Sequence, residues 1–344
     1  MVFESVLSPE TAENKPYDAF ILSFLLSTIS IMLAFIVFTP YIVVNTVLSA
    51  YTIFFIGIVL FIVEGKRSFS KTLFTLTLLA VVTIIFITNI QGKILALDYS
   101  AYATSVSLSM IFFTSLGLAP LMVRLLQVEE RRDIEDLEDT FLERHYHVLL
   151  AYAALFVGAV FAYSLWFTIL PESLVETIFS EQLSTIRWVS GLRMGLTAQV
   201  IGGQSFGLIL NNNLKILAVS ALMSFALGSG AIFILTWNAS VIAVAIGDTA
   251  RTFISYYAGM GHFAGVAAYF HALPISLSRL LFHGSIEILA YFIGGLAGGI
   301  LSVAAIAHEG AAIWLVIKDA TKLLAFSVFL IVVAAAIEAA MIGV

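Results

Sequence analysis

The chain has no cysteine among its 344 residues, which excludes disulfide bonds, thiolate catalysis and zinc or iron–sulfur sites held by cysteine. Charged residues are also scarce, at 11% of the chain, whereas about a quarter of a soluble domain is charged. The formal net charge of −6 argues against a nucleic-acid partner, because a phosphate-binding surface needs clustered lysine and arginine. Composition therefore points away from a soluble globular protein and from nucleic-acid binding.

What the chain has in excess is apolar residues, which make up 61% of it and give a mean hydropathy of +1.05. A single aqueous core of this size could not bury them, so we expect the lipid bilayer to solvate most of the chain. The predicted fold class is an all-α, polytopic bundle of transmembrane helices. The first strongly apolar stretch begins near Ala19 after an acidic lead, which predicts a retained span and not a cleaved signal peptide.

About 20 apolar residues are needed to cross the hydrocarbon core, and eight stretches of the chain meet that length. The segment 238–272 is doubtful, because its apolar part is short and charged residues follow closely. It is predicted to be a re-entrant piece, which is tolerated at membrane depth where protein buries it. The predicted spans are 19–38, 41–63, 72–90, 104–126, 147–170, 214–236, 283–305 and 321–343.

Orientation follows from lysine and arginine near the span ends, since cytoplasmic loops carry an excess of both. The segments 64–71 and 124–146 are rich in these residues, and with eight spans they fall on one side. This predicts a multi-pass protein of the cell membrane with both termini in the cytoplasm. Lys318 and Lys322 do not fit, because this arrangement places them on the outer side.

The chain is predicted to divide into four parts. One of them, 128–146, is strongly charged and is expected to be a solvated cytoplasmic connector; the alternative is that 128–147 is a docking helix for a partner protein. Self-association is a further hypothesis. The parts are N-terminal transmembrane helices at 1–127, the connector at 128–146, a span plus interfacial connector at 147–213, and a transmembrane core at 214–344.

The candidate site residues His283, Glu287 and Glu338 fall within predicted spans, where ionisable residues are costly and mark candidate functional sites. His283 and Glu287 are four apart and share a helix face. Glu338 lies near the end of the last span, which is antiparallel to the span of Glu287, so the two carboxylates are expected at one depth on the cytoplasmic side. The cluster is open to three interpretations: a polar network that joins two helices, a site for a proton or a divalent metal ion, or a catalytic site. As metal ligands, His283, Glu287 and Glu338 are a plausible set.

Three runs in the last part of the chain, about 208–344, resemble SpoIIM-like proteins, the stage II sporulation protein M family. They are LILNNNLKILAVSALMSFALGSGAIFILTWNASVIAVAIG (208–247), FHGSIEILAYFIGGLAGG (282–299) and AAAIEAAM (334–341). Phe282 stands where the family has a proline. About 200 N-terminal residues lie outside the resemblance, so a sporulation role is not carried over. The resemblance implies functional positions at Asn212, Asn213, Asn238, His283, Gly284, Glu287 and Glu338.

Three functions stay open on these grounds. No complete catalytic motif occurs, since a zinc hydrolase would favour H-E-x-x-H and only H-x-x-x-E is present. The favoured function is therefore non-enzymatic, a membrane scaffold or complex subunit with a buried His/Glu cluster. The alternatives are an ion or small-solute transporter or channel, and an intramembrane metal-dependent hydrolase.

Overall fold

A computed structural model of the chain describes residues 8–38, 99–135, 141–187, 204–257, 270, 284–307 and 311–342. Those ranges contain helices and no strand, which confirms the predicted all-α class. A further helical stretch occupies 180–187. The helices are α1 (Pro9–Asn14), α2 (Pro16–Phe38), α3 (Tyr99–Glu135), α4 (Phe141–Ile169), α5 (Glu172–Ile178), α6 (Gln204–Leu227), α7 (Ala231–Tyr257), α8 (Gly284–Ala307) and α9 (Ala311–Ile342).

Seven helices of the described part, all except α1 and α5, are long and apolar enough to cross a membrane. The chain is therefore built as a polytopic helical membrane protein, as predicted. The number differs from the predicted eight, and the predicted spans 41–63 and 72–90 lie outside the described residues.

The prediction of a single span at 214–236 is wrong, because this segment contains the end of one helix and the start of the next. The helix α6 ends at Leu227, and α7 begins at Ala231. Gly228 has φ +70°, the left-handed conformation with which a glycine ends a helix. Ser224 Oγ accepts a hydrogen bond from the Ala231 N–H at 3.1 Å, which satisfies one amide at the start of α7. This break between α6 and α7 was hidden within a continuous apolar stretch of the sequence.

The re-entrant prediction for 238–272 is also wrong as far as the structure describes that segment. Residues 238–257 belong to α7, which has a candidate span at Ala231–Ser255. The charge of Arg251 does not stop the helix, because its guanidinium donates to the carbonyls of Phe167 and Leu170 at the end of α4. The cation satisfies carbonyls that have no partner within α4 and complements its C-terminal dipole.

The helices form two packed groups that α3 joins. In one group α8 packs most extensively against α9 and α6, and in the other α4 packs against α2 and α7. Tyr152 and Phe156 of α4 meet Phe292 of α8 edge to face, with ring centroids 6.1 and 5.6 Å apart, which links the two groups. The predicted antiparallel pairing of the last two spans is what the structure has, since Gly294 of α8 lies beside Ser327 of α9.

The helices α6 and α8 run parallel, and small residues let them approach. Gly298 of α8 faces the backbone carbonyl of Ala221, and Gly295 lies beside Ser220, whose Oγ donates to the Tyr291 carbonyl at 3.5 Å. Close approach through small residues is the main way in which helices associate in lipid, where apolar side chains gain little by leaving it. The GGLAGG run at 294–299 is thus the contact surface of α8.

We predict that Gly298→Ala lowers the stability of the folded protein by about 1–3 kcal/mol, because the added methyl group would overlap the Ala221 carbonyl. The measurement is the thermal unfolding midpoint in detergent. Gly207→Ala is the matched control, since nothing lies within 4 Å of a methyl group at that helical position. Equal midpoints for Gly298→Ala and the control would contradict the tight α6–α8 contact.

Candidate functional site

A first group of polar residues joins the first half of α6 to the first turn of α8. Asn213 Nδ2 donates a hydrogen bond of 2.6 Å to Glu287 Oε1, and Asn212 Nδ2 donates to Asn213 Oδ1 at 3.3 Å. The Asn213 side chain is only 4% exposed, so its amide is bonded where water has little access. In such surroundings a hydrogen bond to a charged acceptor contributes more than a surface contact does.

Glu338 of α9 completes this group through Tyr291. The Tyr291 side chain is buried one turn after Glu287 and interacts electrostatically with both Glu287 and Glu338. The two carboxylates therefore lie toward the same end of the α8–α9 pair. We call Asn212, Asn213, Glu287, Tyr291 and Glu338 the amide–carboxylate cluster.

The remaining sequence-predicted positions are placed differently. Gly284 is buried and begins α8, and His283 directly before it lies outside the described residues. Asn238 donates to the Ile234 carbonyl of its own helix at 2.8 Å, so we assign it no place in the cluster. Among the described residues no three His, Asp or Glu side chains could hold one metal ion.

A second polar group, at the junction of α1, α3 and α4, is one that the sequence analysis did not identify as a site. Arg132 makes a bidentate pair with Glu13, with Nη2–Oε2 at 2.6 Å and Nη1–Oε1 at 3.1 Å, and its Nη1 also lies 3.3 Å from Glu129 Oε2. The other carboxylate oxygen of Glu129 lies 2.5 Å from His145 Nδ1. We call Glu13, Glu129, Arg132 and His145 the charged network.

Both carboxylates and the imidazole of the charged network are buried, so the expectation of a solvated connector is wrong for Glu129 and His145. Glu129 is 0% exposed, His145 1% and Glu13 4%, and Glu130 is buried as well. Glu129 is buried because of its position on the helix. Met122, Leu125 and Leu126 are fully buried on α3, and Glu129 lies on the same helix face one turn later. Extending the apolar stripe of the span into the charged segment would have identified it.

The short helix α1 supplies Glu13, and its first residues stabilise the start of the helix. Ser8 caps the helix by accepting a hydrogen bond of 3.1 Å from the Thr11 N–H, and Pro9 stands at its first position. Ala12 and Glu13 are the buried residues of this helix, next to the core formed by α3 and α4. The carboxylate and the methyl group therefore anchor the chain just before the first span.

Burial raises the pKa of the Glu13 carboxyl above its usual value. The Arg132 guanidinium opposes this rise, and the charge of Glu129 adds to it. Because the folded state holds the Glu13 proton more tightly than the unfolded state, the ionised form weakens folding as pH rises through the raised pKa. The desolvation of the carboxylate outweighs its pairing with Arg132.

We therefore predict that Glu13→Gln gains stability relative to the wild type as pH rises, because the wild type must give up the Glu13 proton in buried surroundings and the variant has none to lose. Thermal midpoints in detergent from about pH 5 to about pH 8 provide the measurement. The exposed Glu176 offers a control, since Glu176→Gln should show no such gain. A difference between the two midpoints that does not change with pH would contradict the raised pKa of Glu13.

A third set of polar contacts secures the opposite end of α3. The fully buried Gln182 accepts from Ser107 Oγ of α3 at 2.8 Å and donates to Ser240 Oγ of α7 at 3.1 Å. Thr104 Oγ1 donates to Glu181 at 2.5 Å beside it. Both polar groups of the Gln182 amide are satisfied, so these contacts tie the stretch 180–187 to the bundle.

The fold and the two polar groups define the class: a polytopic helical membrane protein with a buried amide–carboxylate pair between parallel helices. The family model described as "Stage II sporulation protein M" (SpoIIM) matches residues 147–341, more than half of the chain. The chain belongs to this family, as its C-terminal resemblance predicted, and the match begins earlier than expected because it includes α4 from His147 onward. Neither the curated proteins nor the solved structures contain a match to the chain.

Proposed function

We propose that this SpoIIM-family protein is a non-enzymatic membrane scaffold or complex subunit, in which the amide–carboxylate cluster fixes the arrangement of α6, α8 and α9. The observation that carries the proposal is the 2.6 Å bond from Asn213 to Glu287. It joins two parallel helices at one end, while the contact of Gly298 with Ala221 joins them further along. Because these two contacts lie at different positions along the helices, together they define the distance between α6 and α8 and the rotation of α8 about its axis.

The surroundings of the cluster support a structural role over a transport role. Residues 290–300 of α8 are all buried, and three of the four glycines of this run, Gly294, Gly295 and Gly298, lie against α6. His283 is proposed as a member of the cluster from its place directly before Gly284.

The test is the pair Glu287→Gln and Glu287→Ala. Glutamine keeps an acceptor oxygen for Asn213, so we expect a loss of less than about 1 kcal/mol, whereas alanine leaves a buried amide without its acceptor and should cost about 1–3 kcal/mol. The readouts are the unfolding midpoint and the size of the purified complex in mild detergent. Glu172→Ala, at an exposed position of α5, is the control.

A different result would support the alternatives. If Glu287→Gln left stability and assembly intact but abolished ion flux in proteoliposomes, the carboxylate would act in transport and the scaffold proposal would fail. Metal content by mass spectrometry, in the wild type and in His283→Ala, tests the metal-dependent alternatives. One divalent metal ion per chain that disappears in the variant would indicate a metal site and favour a transporter or an intramembrane hydrolase.

A partner docking along 128–147 remains a proposal, now restricted to the exposed side of α3 and α4. Arg131, Tyr146 and His147 are exposed there, while Glu129 and His145 face inward. A partner protein at this surface would contact the exposed residues and leave the charged network in place.

A further inference from the structure

The charged network marks one end of the bundle. Glu13 lies just before α2, Arg132 lies in the last turn of α3, and His145 lies near the start of α4. Since Arg132 bonds Glu13 and Glu129 bonds His145, the start of α2, the end of α3 and the start of α4 are together. We call this the network end.

The turn between α6 and α7 lies toward the same end. Gly299 in the second half of α8 packs against the Leu126 side chain of α3 and the Gly228 carbonyl. Leu126 is about one turn from Glu129 along α3, so the end of α6, the start of α7 and the end of α8 all point to the network end. The start of α9 follows there, because α9 is antiparallel to α8.

The amide–carboxylate cluster lies at the opposite end. Glu287 is in the first turn of α8 and bonds Asn213 in the first half of α6, and Glu338 is near the end of α9. The end of α4 is there as well, since Arg251 near the end of α7 donates to the Phe167 and Leu170 carbonyls. We call this the cluster end.

Basic residues are distributed unequally between the two ends. Near the network end the described helices carry seven lysines and arginines, and toward the cluster end they carry three. Cytoplasmic segments near span ends are the ones that carry this excess. Toward the network end lie Lys15, Arg124, Arg131, Arg132, Arg144, Lys318 and Lys322, and toward the cluster end lie Arg187, Lys215 and Arg251.

We infer that the network end is cytoplasmic and that the amide–carboxylate cluster lies at the extracytoplasmic face, where it is open to partners outside the cell membrane. The N-terminal helix α1 is then cytoplasmic and the end of α9 is extracytoplasmic. This replaces the prediction of two cytoplasmic termini and of a cytoplasmic Glu287. It also places Lys318 and Lys322 on the cytoplasmic side, where basic residues are expected. The reason is that α7 adds a full crossing of the membrane, so α8 and α9 run in the directions opposite to those predicted.

The inference deepens the proposed scaffold function and rests on it for the nature of the partner. Asn212 is exposed at the cluster end, and the carboxylates of Glu287 and Glu338, both partly exposed, offer acceptor oxygens for hydrogen bonds. The site therefore fits an extracytoplasmic protein segment that presents N–H donors or a cationic side chain. A cytoplasmic partner would meet the network end instead.

The chain itself offers a direct test, because it has no cysteine and any introduced thiol is unique. His147→Cys reports on the network end and Glu172→Cys on the cluster end, since these exposed residues lie near the start and just past the end of α4. Full-length variants would be expressed in a bacterium and treated, as intact spheroplasts, with a membrane-impermeant maleimide. We expect labelling of Glu172→Cys before permeabilisation and of His147→Cys only afterwards.

Two outcomes overturn the inference. Labelling of His147→Cys alone in sealed spheroplasts would reverse the orientation, and equal labelling of both variants would show that the ends do not lie on opposite faces. Tyr146→Cys and Glu176→Cys repeat the comparison at other exposed positions. A second measurement does not need an accessible thiol: alkaline phosphatase fused after Val344 should be active, and an inactive enzyme in a well-expressed fusion would also contradict the inference.

These results are distinguishable from a failure of the proposed function. Labelling and fusion report on which face each end occupies, whether or not the protein assembles with a partner. Expected labelling together with an unchanged complex in Glu287→Ala would leave the orientation standing and remove the scaffold function.

Discussion

The parallel contact between α6 and α8 is the constraint on which the rest of the bundle depends. Two neighbouring helices that run in the same direction require the chain to return across the membrane between them, and α7 provides that return. The same contact brings the start of both helices together, so Asn213 can reach Glu287. The antiparallel α9 then delivers Glu338 to that end. The crossing of α7, the direction of α9 and the position of the amide–carboxylate cluster therefore all follow from the α6–α8 pair.

The forces that hold this pair differ from those in a soluble core. Lipid tails are as apolar as leucine, so helices gain stability through close packing and interhelical hydrogen bonds. The glycines at 294–299 supply the first, and Asn213 with Glu287 supplies the second. In the other group, Gly158 of α4 faces the Phe20 backbone of α2, while Ser23 donates to the Leu155 carbonyl at 2.5 Å. Close packing at glycine and interhelical hydrogen bonding therefore occur in both helix groups.

Composition and hydropathy predicted the membrane class and located most spans, because lipid solvation acts on every residue of a long apolar run. The family resemblance correctly identified the C-terminal part and pointed to Asn213 and Glu287, which the structure joins. Hydropathy could not find the break at Gly228, since the residues on both sides are apolar and only backbone conformation separates the helices. It also misjudged Arg251, whose guanidinium donates to carbonyls at the end of α4, and Glu129, whose carboxylate pairs with Arg132 and with His145 of the next helix.

The two polar groups divide between the family part and the N-terminal part of the chain. The amide–carboxylate cluster lies wholly within the family match at 147–341, whereas every member of the charged network precedes it. Buried ion pairs contribute little net stability when desolvation is counted, yet an unpaired member would be costly. The charged network therefore acts mainly on specificity: α1 and α3 pack against α4 in the one register that pairs Glu13, Arg132, Glu129 and His145. Charge pairing positions the N-terminal helices, and small-residue packing shapes the part of the bundle that matches the family and carries the site.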